Sequence, residues 1–290
     1  MDFQLEELRT IWPQLDAAAN RRLAIAGGFG LWLQQSYLVA ECKKPTGPQI
    51  LVPFAEWSNS REIRTTNDLD LLLDLEIIAD AATQQALTRI LIREGYRHLT
   101  DSDRRWKFSK DVGDRIFKVE FLSEVPDDND SRRFRADERR VRNRCSVEDG
   151  LHGRATPESL LWHRHPFEFI WNGLTVRTPN ALSWANMKIF ATRDSLEKMQ
   201  TDADNTDRFR SLAIKHGRDC YRIIAMLDRE RFLHASRLAL EMPELRVEAK
   251  QLFAEVFLKP GIIQLACKED WNPSIMDILE DTLAKLLKTA

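Results

Sequence analysis

Cysteine is scarce in this 290-residue chain, and the few present are dispersed. Cys42, Cys145, Cys220 and Cys267 form no C-x-x-C pair. That argues against a disulfide framework and a cysteine-built zinc site, and suits a reducing compartment. No apolar run approaches the ~18 residues that a membrane-spanning helix needs. No opening segment has the charged, apolar and small-residue order of a secretory signal. The expectation is a soluble, cytoplasmic protein with no membrane partner. A basic excess is missing too. Lys and Arg total 43 against 45 Asp and Glu, for a net charge of −2, so nucleic-acid contact would need a local patch. There is no Walker lysine loop, no full dinucleotide fingerprint and no nucleophile elbow. His163 and His165 stand close together without metal-ligand spacing and read as loop histidines. What is present is ordinary globular chemistry. Hydrophobic residues make up 43%, charged ones 30%, with 8 Trp and 14 Phe, enough for one large domain or two modest ones.

Apolar positions at helical spacing (Phe3, Leu5, Leu8, Ile11, Trp12, Leu15) predict a first helix over 3–20. Residues 23–26 then read as a short buried strand that ends in the turn Gly27-Gly28, with a helix over 31–40. Residues 41–60 are broken by prolines and read as an insertion loop. A helix is expected over 79–94, with Gly95 just past its end. Strands over 104–109 and 115–122 are joined by a turn at Gly113. Residues 126–153 read as an arginine-rich loop, and Asn172-Gly173 centres a β-hairpin. From Pro179 onward the pattern is helical, with helices over 181–193, 207–227, 229–240, 244–258 and 274–288. The expected architecture is α+β: a first domain over 1–178, with a mixed sheet flanked by helices, and a helical domain over 179–290.

The stretch from Arg64 to Asp74 carries the chemistry. On a strand, residues two apart share a face, so Asp68 and Asp70 project together ahead of the apolar Leu71 to Leu73. Paired carboxylates repel unless a proton or cation lies between them. A bound Mg²⁺ removes the repulsion and creates a site for phosphate oxygens; a solvated strand edge is the plainer alternative. Upstream, Gly27 and Gly28 precede a helix N-terminus, a ready anion site. Downstream, Glu120 is one acid in a mostly apolar strand, and wants a partner. Arg132, Arg133, Arg139 and Arg140 belong to a run that can grip RNA phosphates or can form a solvated segment balanced by its own acids.

Strand–Gly-Gly–helix, Asp-x-Asp strand and a later acidic strand stand in the order of a nucleotidyltransferase. The chain resembles the DNA-polymerase-β-like nucleotidyltransferase superfamily, most of all the toxin components of AbiE-type toxin–antitoxin systems. The matching residues are Ala26-Gly27-Gly28, Arg64, Thr66, Asp68 and Asp70, with Met187-Lys188, Arg193 and Asp219 in the helical half. The resemblance implies transfer of a nucleoside monophosphate from an NTP to an acceptor, for some relatives tRNA, under control of an antitoxin protein. It implies Mg²⁺ or Mn²⁺ on Asp68, Asp70 and Glu120. Nucleotide contacts fall to Gly27, Gly28, Arg64 and Lys188, and Lys188 and Asp219 join the catalytic set. Many members carry Ser where Gly28 stands. An aminoglycoside or protein hydroxyl as acceptor, and a nucleotide-binding module without transfer, are the competing readings.

Overall fold

The computed structural model describes residues 2–57, 68–98, 105–137, 139–144 and 150–288. The fold is α+β, and the chain divides into two compact units: Met1–Gln34 with Arg64–Pro179, and Gln35–Ile63 with Asn180–Ala290. Residues 35–57, assigned from the sequence to the first domain, thus belong to the second unit.

In the first unit, helix α1 (Asp2–Ala18) leads to strand β1 (Leu23–Ile25), and α2 (Gly27–Glu41), which runs on into the second unit from Gln35, begins two residues later. Then come β2 (Asp68–Leu73), α3 (Leu75–Ala79), α4 (Ala81–Arg93), β3 (Arg97–His98), β4 (Lys107–Val112) and β5 (Arg115–Ser123). Strands β6 (Phe134–Ala136), β7 (Arg140–Asn143) and β8 (Gly153–Ala155) follow. These eight form one mixed sheet in the order β1-β2-β5-β8-β7-β6, with β4 also on β5 and β3 on β4. One edge of β5 carries β2. The other is shared, β4 pairing up to Glu120 and β8 taking over at Leu122. One sheet face is apolar: Leu69, Leu71, Val119, Phe121, Phe108 and Phe117 are all buried.

The arginine-rich segment is not the expected loop. After a 3₁₀ turn at Asp128–Arg132, it forms the antiparallel pair β6–β7 and reaches β8. The helix expected over 79–94 is α4, which starts just after Asp80, whose side chain accepts the Ala82 N–H; the short α3 before it was not foreseen. Asp74, the residue after β2, likewise caps α3 by accepting the Glu76 N–H. Strands β9 (Phe167–Trp171) and β10 (Leu174–Thr178) form a separate hairpin, with Asn172 at φ 48° and Gly173 at φ 81°, as an Asn-Gly turn requires. Its Arg177 is buried, and donates to Asp16, Glu168 and the Leu23 carbonyl. One guanidinium thereby ties α1 and β1 to the hairpin.

The second unit is helical: α5 (Ala181–Thr201), α6 (Thr206–Ala225), α7 (Arg229–Glu241), α8 (Pro243–Val256), α9 (Ile262–Asp270) and α10 (Pro273–Leu286). Asn180 caps α5 through Ser183 N–H. Helix α9 was not foreseen, and α5 runs on to Thr201. Leu51 N–H and Val52 N–H donate to the Leu227 and Ala225 carbonyls, and Trp57 packs edge-on to Trp271 at 4.8 Å. The described part of the insertion is therefore anchored, not free.

At the end of β5 the buried Glu124 accepts the Leu161 N–H at 2.9 Å, with His163 Nδ1 3.9 Å away. Burial pushes Glu124 up to about 7 from 4.5, aided by Asp74 and Asp130 against the Leu161 hydrogen bond. The folded state then binds this proton more tightly than the unfolded chain, so its contribution to stability is full below 4.5 and lost as pH rises through about 7. His163 is shifted down by burial, and contributes with the opposite sign. Unfolding by urea across this range should therefore show wild type losing stability relative to Glu124→Gln as pH rises. Parallel curves for the two proteins would exclude Glu124 as the titrating group.

Candidate active site

Strand β2 alternates as expected, with Asp68 and Asp70 half-buried on one face and Leu69 buried on the other. Parallel pairing of β2 with β5 sets Asp68 opposite Lys118 and Asp70 opposite Glu120. Adjacent strands lie about 4.8 Å apart, so Glu120 is the acid nearest Asp70 in the sheet. It arrives there through register, fifty positions further along the chain.

The glycine turn meets the same spot. Ala26 N–H donates to the Asp70 carbonyl at 2.8 Å, extending the β1–β2 ladder by one bond. Gly27 then turns at φ +62°, and a Cβ on it would lie 1.9 Å from Asp70 Oδ2. Only glycine satisfies both conditions. Helix α2 starts here, and its first internal bond runs from Gly30 N–H to the Ala26 carbonyl. The N–H groups of Gly27, Gly28 and Phe29 precede that bond and belong to the open helix end, immediately beside Asp70. At Gly30 a Cβ would lie 2.3 Å from the Ile25 carbonyl oxygen, so the helix also needs glycine to lie back against β1.

Glu120 is not turned toward the aspartates alone. Lys107, opposite it on β4, reaches Oε2 at 3.3 Å, and Arg154 on β8 reaches Oε1 at 3.0 Å. Its side chain is 12% exposed, which strengthens both contacts relative to surface pairs. Lys118 Nζ lies 3.9 Å from Asp68 Oδ1. Among the described residues, no three His, Cys, Asp or Glu side chains are disposed to hold a metal ion by themselves.

Lys188 and Asp219 lie in the helical unit and are brought together, Nζ to Oδ2 at 2.8 Å, with side chains 7% and 4% exposed. Arg222 Nη1 is 3.5 Å from the other carboxylate oxygen. Burial alone would raise the Asp219 carboxyl, but the Lys188 charge and hydrogen bond, with Arg222, hold it below its ordinary value. His216 is driven down to about 3 by burial and by Lys188, so it stays neutral in this cluster. Arg193 holds Asp194, Glu197 and Glu248.

Of the four arginines assigned to RNA, Arg133 makes a two-pronged pair with Glu76, both bonds 2.8 Å, and Arg140 pairs with Asp137 at 3.0 Å. Arg132 and Arg139 are exposed. Arg64 and Thr66 lie outside the described residues. Sequence reasoning missed Lys107, Lys118 and Arg154. The alternation Lys107-Phe-Ser109 and Lys118-Val-Glu120 signals the two lysines; Arg154 has no local signal, because only the β5–β8 pairing brings it to Glu120. No protein-family model matches the chain, and neither a curated protein nor a solved structure matches it.

Two measurements test these contacts. Gly27→Ala should cost about 2 kcal/mol or more in urea unfolding, from a strained backbone and the collision with Asp70. In an Asp70→Ala background, which removes the colliding carboxylate, the cost should fall to the backbone part; an unchanged cost would disprove the contact. Lys188→Met should cost about 3 kcal/mol by stranding a buried carboxylate. Lys188→Met with Asp219→Leu should recover at least half of that, and additive losses would mean that the two residues do not act as a pair.

Proposed function

We propose that this protein is an Mg²⁺-dependent nucleotidyltransferase, which moves a nucleoside monophosphate from an NTP to an acceptor hydroxyl, with an RNA 3′ end as the acceptor. The single observation that carries the reading is the packing of Gly27 on Asp70. It joins an anion-binding helix start to a pair of carboxylates within one residue's reach. On the family resemblance we assign the protein as the toxin of a toxin–antitoxin pair, with an antitoxin protein as partner.

Asp68 and Asp70 fit a hard divalent cation: two partly exposed oxygen donors on one strand face, beside a phosphate site that supplies further oxygens. Mg²⁺, when bound there, neutralises phosphate charge and the leaving pyrophosphate. Glu120 fits as a neighbour rather than a third ligand, since each of its oxygens already accepts from a cation.

In this reading the Gly27 and Gly28 N–H groups donate to oxygens of the triphosphate. The acceptor oxygen forms a bond to the α-phosphorus, the bond to the bridging α–β oxygen breaks, and pyrophosphate leaves. Glu120 keeps a second lone pair on each oxygen and takes the acceptor's proton. Lys107 and Arg154 stand beside it, where negative charge accumulates. Catalysis of this kind is mainly positioning and charge neutralisation.

The engagement of Glu120 by two cations favours one second reading, a nucleotide-binding module that performs no transfer. Incubation with each α-labelled NTP, Mg²⁺ and RNA, protein extract or aminoglycoside separates the two. Label should enter RNA with wild type and be lost at least 100-fold with Asp68→Ala or Asp70→Ala. Label in protein or aminoglycoside would reassign the acceptor. Binding of NTP with label in no pool would establish the module instead. Expression of wild type, and not of Asp68→Ala, should arrest growth if the toxin assignment holds.

A further inference from the structure

The acid-bearing face of the sheet does not end at Glu120. Beyond β5 lie β8, β7 and β6. Arg154 is on the acid face, because it reaches Glu120. Antiparallel pairing places Arg140 opposite Arg154, and Arg142 opposite Arg135. Directly paired residues share a face, as do residues two apart. All four arginines therefore face the same way as Asp68 and Asp70. Val141, between Arg140 and Arg142, is fully buried on the opposite face. Asn143 donates to the Ala79 carbonyl at 2.8 Å.

Register sets the level of each arginine along the strands. Leu122 pairs with Arg154, and Val141 pairs with Gly153. Arg154 in turn pairs with Arg140, so Leu122, Arg154 and Arg140 share one level, and the Arg142–Arg135 pair lies one alternation further along β7 and β6. At Glu120 itself the neighbouring strand is β4, with Lys107, and the arginine-bearing strands join the acids through the Arg154–Glu120 contact. Three strand spacings, about 14 Å, separate β5 from β6.

Four guanidinium groups on adjacent strands repel, and their partners are unevenly shared. Arg154 leans on Glu120, and Arg140 on Asp137. Arg142 and Arg135 have no ion pair among the described residues, and Arg135 is exposed. Like charges placed directly opposite in a sheet are destabilising, so the Arg142–Arg135 pair is a cost that no ion pair among the described residues offsets. His152, buried just before β8, lies near the same charges. Burial comes first, then Arg140, Arg105 and Arg142, in pushing it down to about 4. A neutral imidazole lies under a positive surface.

We propose that Arg142 and Arg135, flanked by Arg140 and Arg154, seat the phosphodiester backbone of a polynucleotide whose end lies at Asp70. This rests on the nucleotidyl-transfer reading for the identity of the polynucleotide as acceptor. It moves the binding role away from Arg133, which is spent on Glu76. A row of arginines one strand spacing apart suits a chain of regularly spaced phosphates better than a single small anion. A cationic aminoglycoside is the wrong charge for it.

Fluorescence anisotropy with a short labelled RNA tests the surface without any chemistry, and Asp70→Asn protein serves for binding in the presence of NTP. Each phosphate contact contributes about 0.7 to the slope of log affinity against log salt for a single strand. Arg135→Gln with Arg142→Gln should weaken binding at least tenfold at low salt and reduce the slope by about 1.4. Arg135→Gln alone, a change at an exposed position, should reduce it by about 0.7, and covers the case in which the double variant folds poorly. Unchanged affinity and slope in the single variant would overturn the proposal. So would displacement of RNA by poly-glutamate with equal potency and the same arginine dependence, which would make the face a seat for an acidic protein. Arginine-dependent RNA binding with no label transfer would uphold this surface while the transfer reading fails. Label transfer to RNA that is unaffected by both substitutions would overturn the surface while transfer stands.

Discussion

The contact of Gly27 with the Asp70 carboxylate is the constraint on which the rest of the candidate site depends. Strand β1 must pair with β2 as far as Ala26, whose N–H binds the Asp70 carbonyl. The next residue must leave the sheet and begin a helix while clearing the Asp70 side chain. A positive φ and a missing Cβ make both possible at once. Any other residue would push the helix start away from the strand, and the N–H groups at that start would lose their place beside the acids. Gly30 completes the geometry by letting α2 lie back on the Ile25 carbonyl. Two glycines thus decide where an anion-binding helix end stands relative to two carboxylates.

Much of this was legible in the sequence, and the parts that were not share a physical reason. Alternation revealed that Asp68 and Asp70 share a face, Asn172-Gly173 revealed the hairpin, and the order of motifs singled out Glu120. These signals are local, two to four residues long. The partners of Glu120 were not legible, because Lys107 and Arg154 reach it through strand pairing. The arginine run was misread for a related reason. A run of like residues looks uniform as a string, but a hairpin distributes it: Arg133 to α3, Arg140 to Asp137, Arg142 and Arg135 to the open face. Helix α3 was missed because its five residues follow β2 directly, too short a span to show helical spacing. Helix α9 was missed because Gly261 precedes it with no side-chain cap to announce it.

The sheet face carries its charge in alternation. Asp68 has Lys118 beside it, and Glu120 has Lys107 and Arg154. Three carboxylates on two adjacent strands would otherwise disfavour the pairing that builds the site. The interleaved cations remove most of that cost, so the strands can pair with no ligand bound. The same arrangement makes the face exchangeable. Lys107 and Arg154 are 24% and 56% exposed, so in the proposed reaction a substrate phosphate would offer them an alternative acceptor to Glu120.

Lys188 and Asp219 belong to a different physical class, although motif reading groups them with the acids. Their pair is dry, with both side chains under a tenth exposed, and it is backed by Arg222. Such a pair adds little net stability, because desolvating two charges offsets their attraction, yet breaking it is costly since one charge is left buried. That asymmetry fixes how α5 lies on α6 and leaves Lys188 little freedom to exchange partners. The residues of β2 and β5 are held by contacts that water and ligand can replace, whereas those of α5 and α6 are held by a contact that nothing can replace cheaply. If the proposed transfer holds, loss of activity on substituting Lys188 or Asp219 reports first on the packing of two helices, whereas loss at Asp68 or Asp70 reports directly on the reaction.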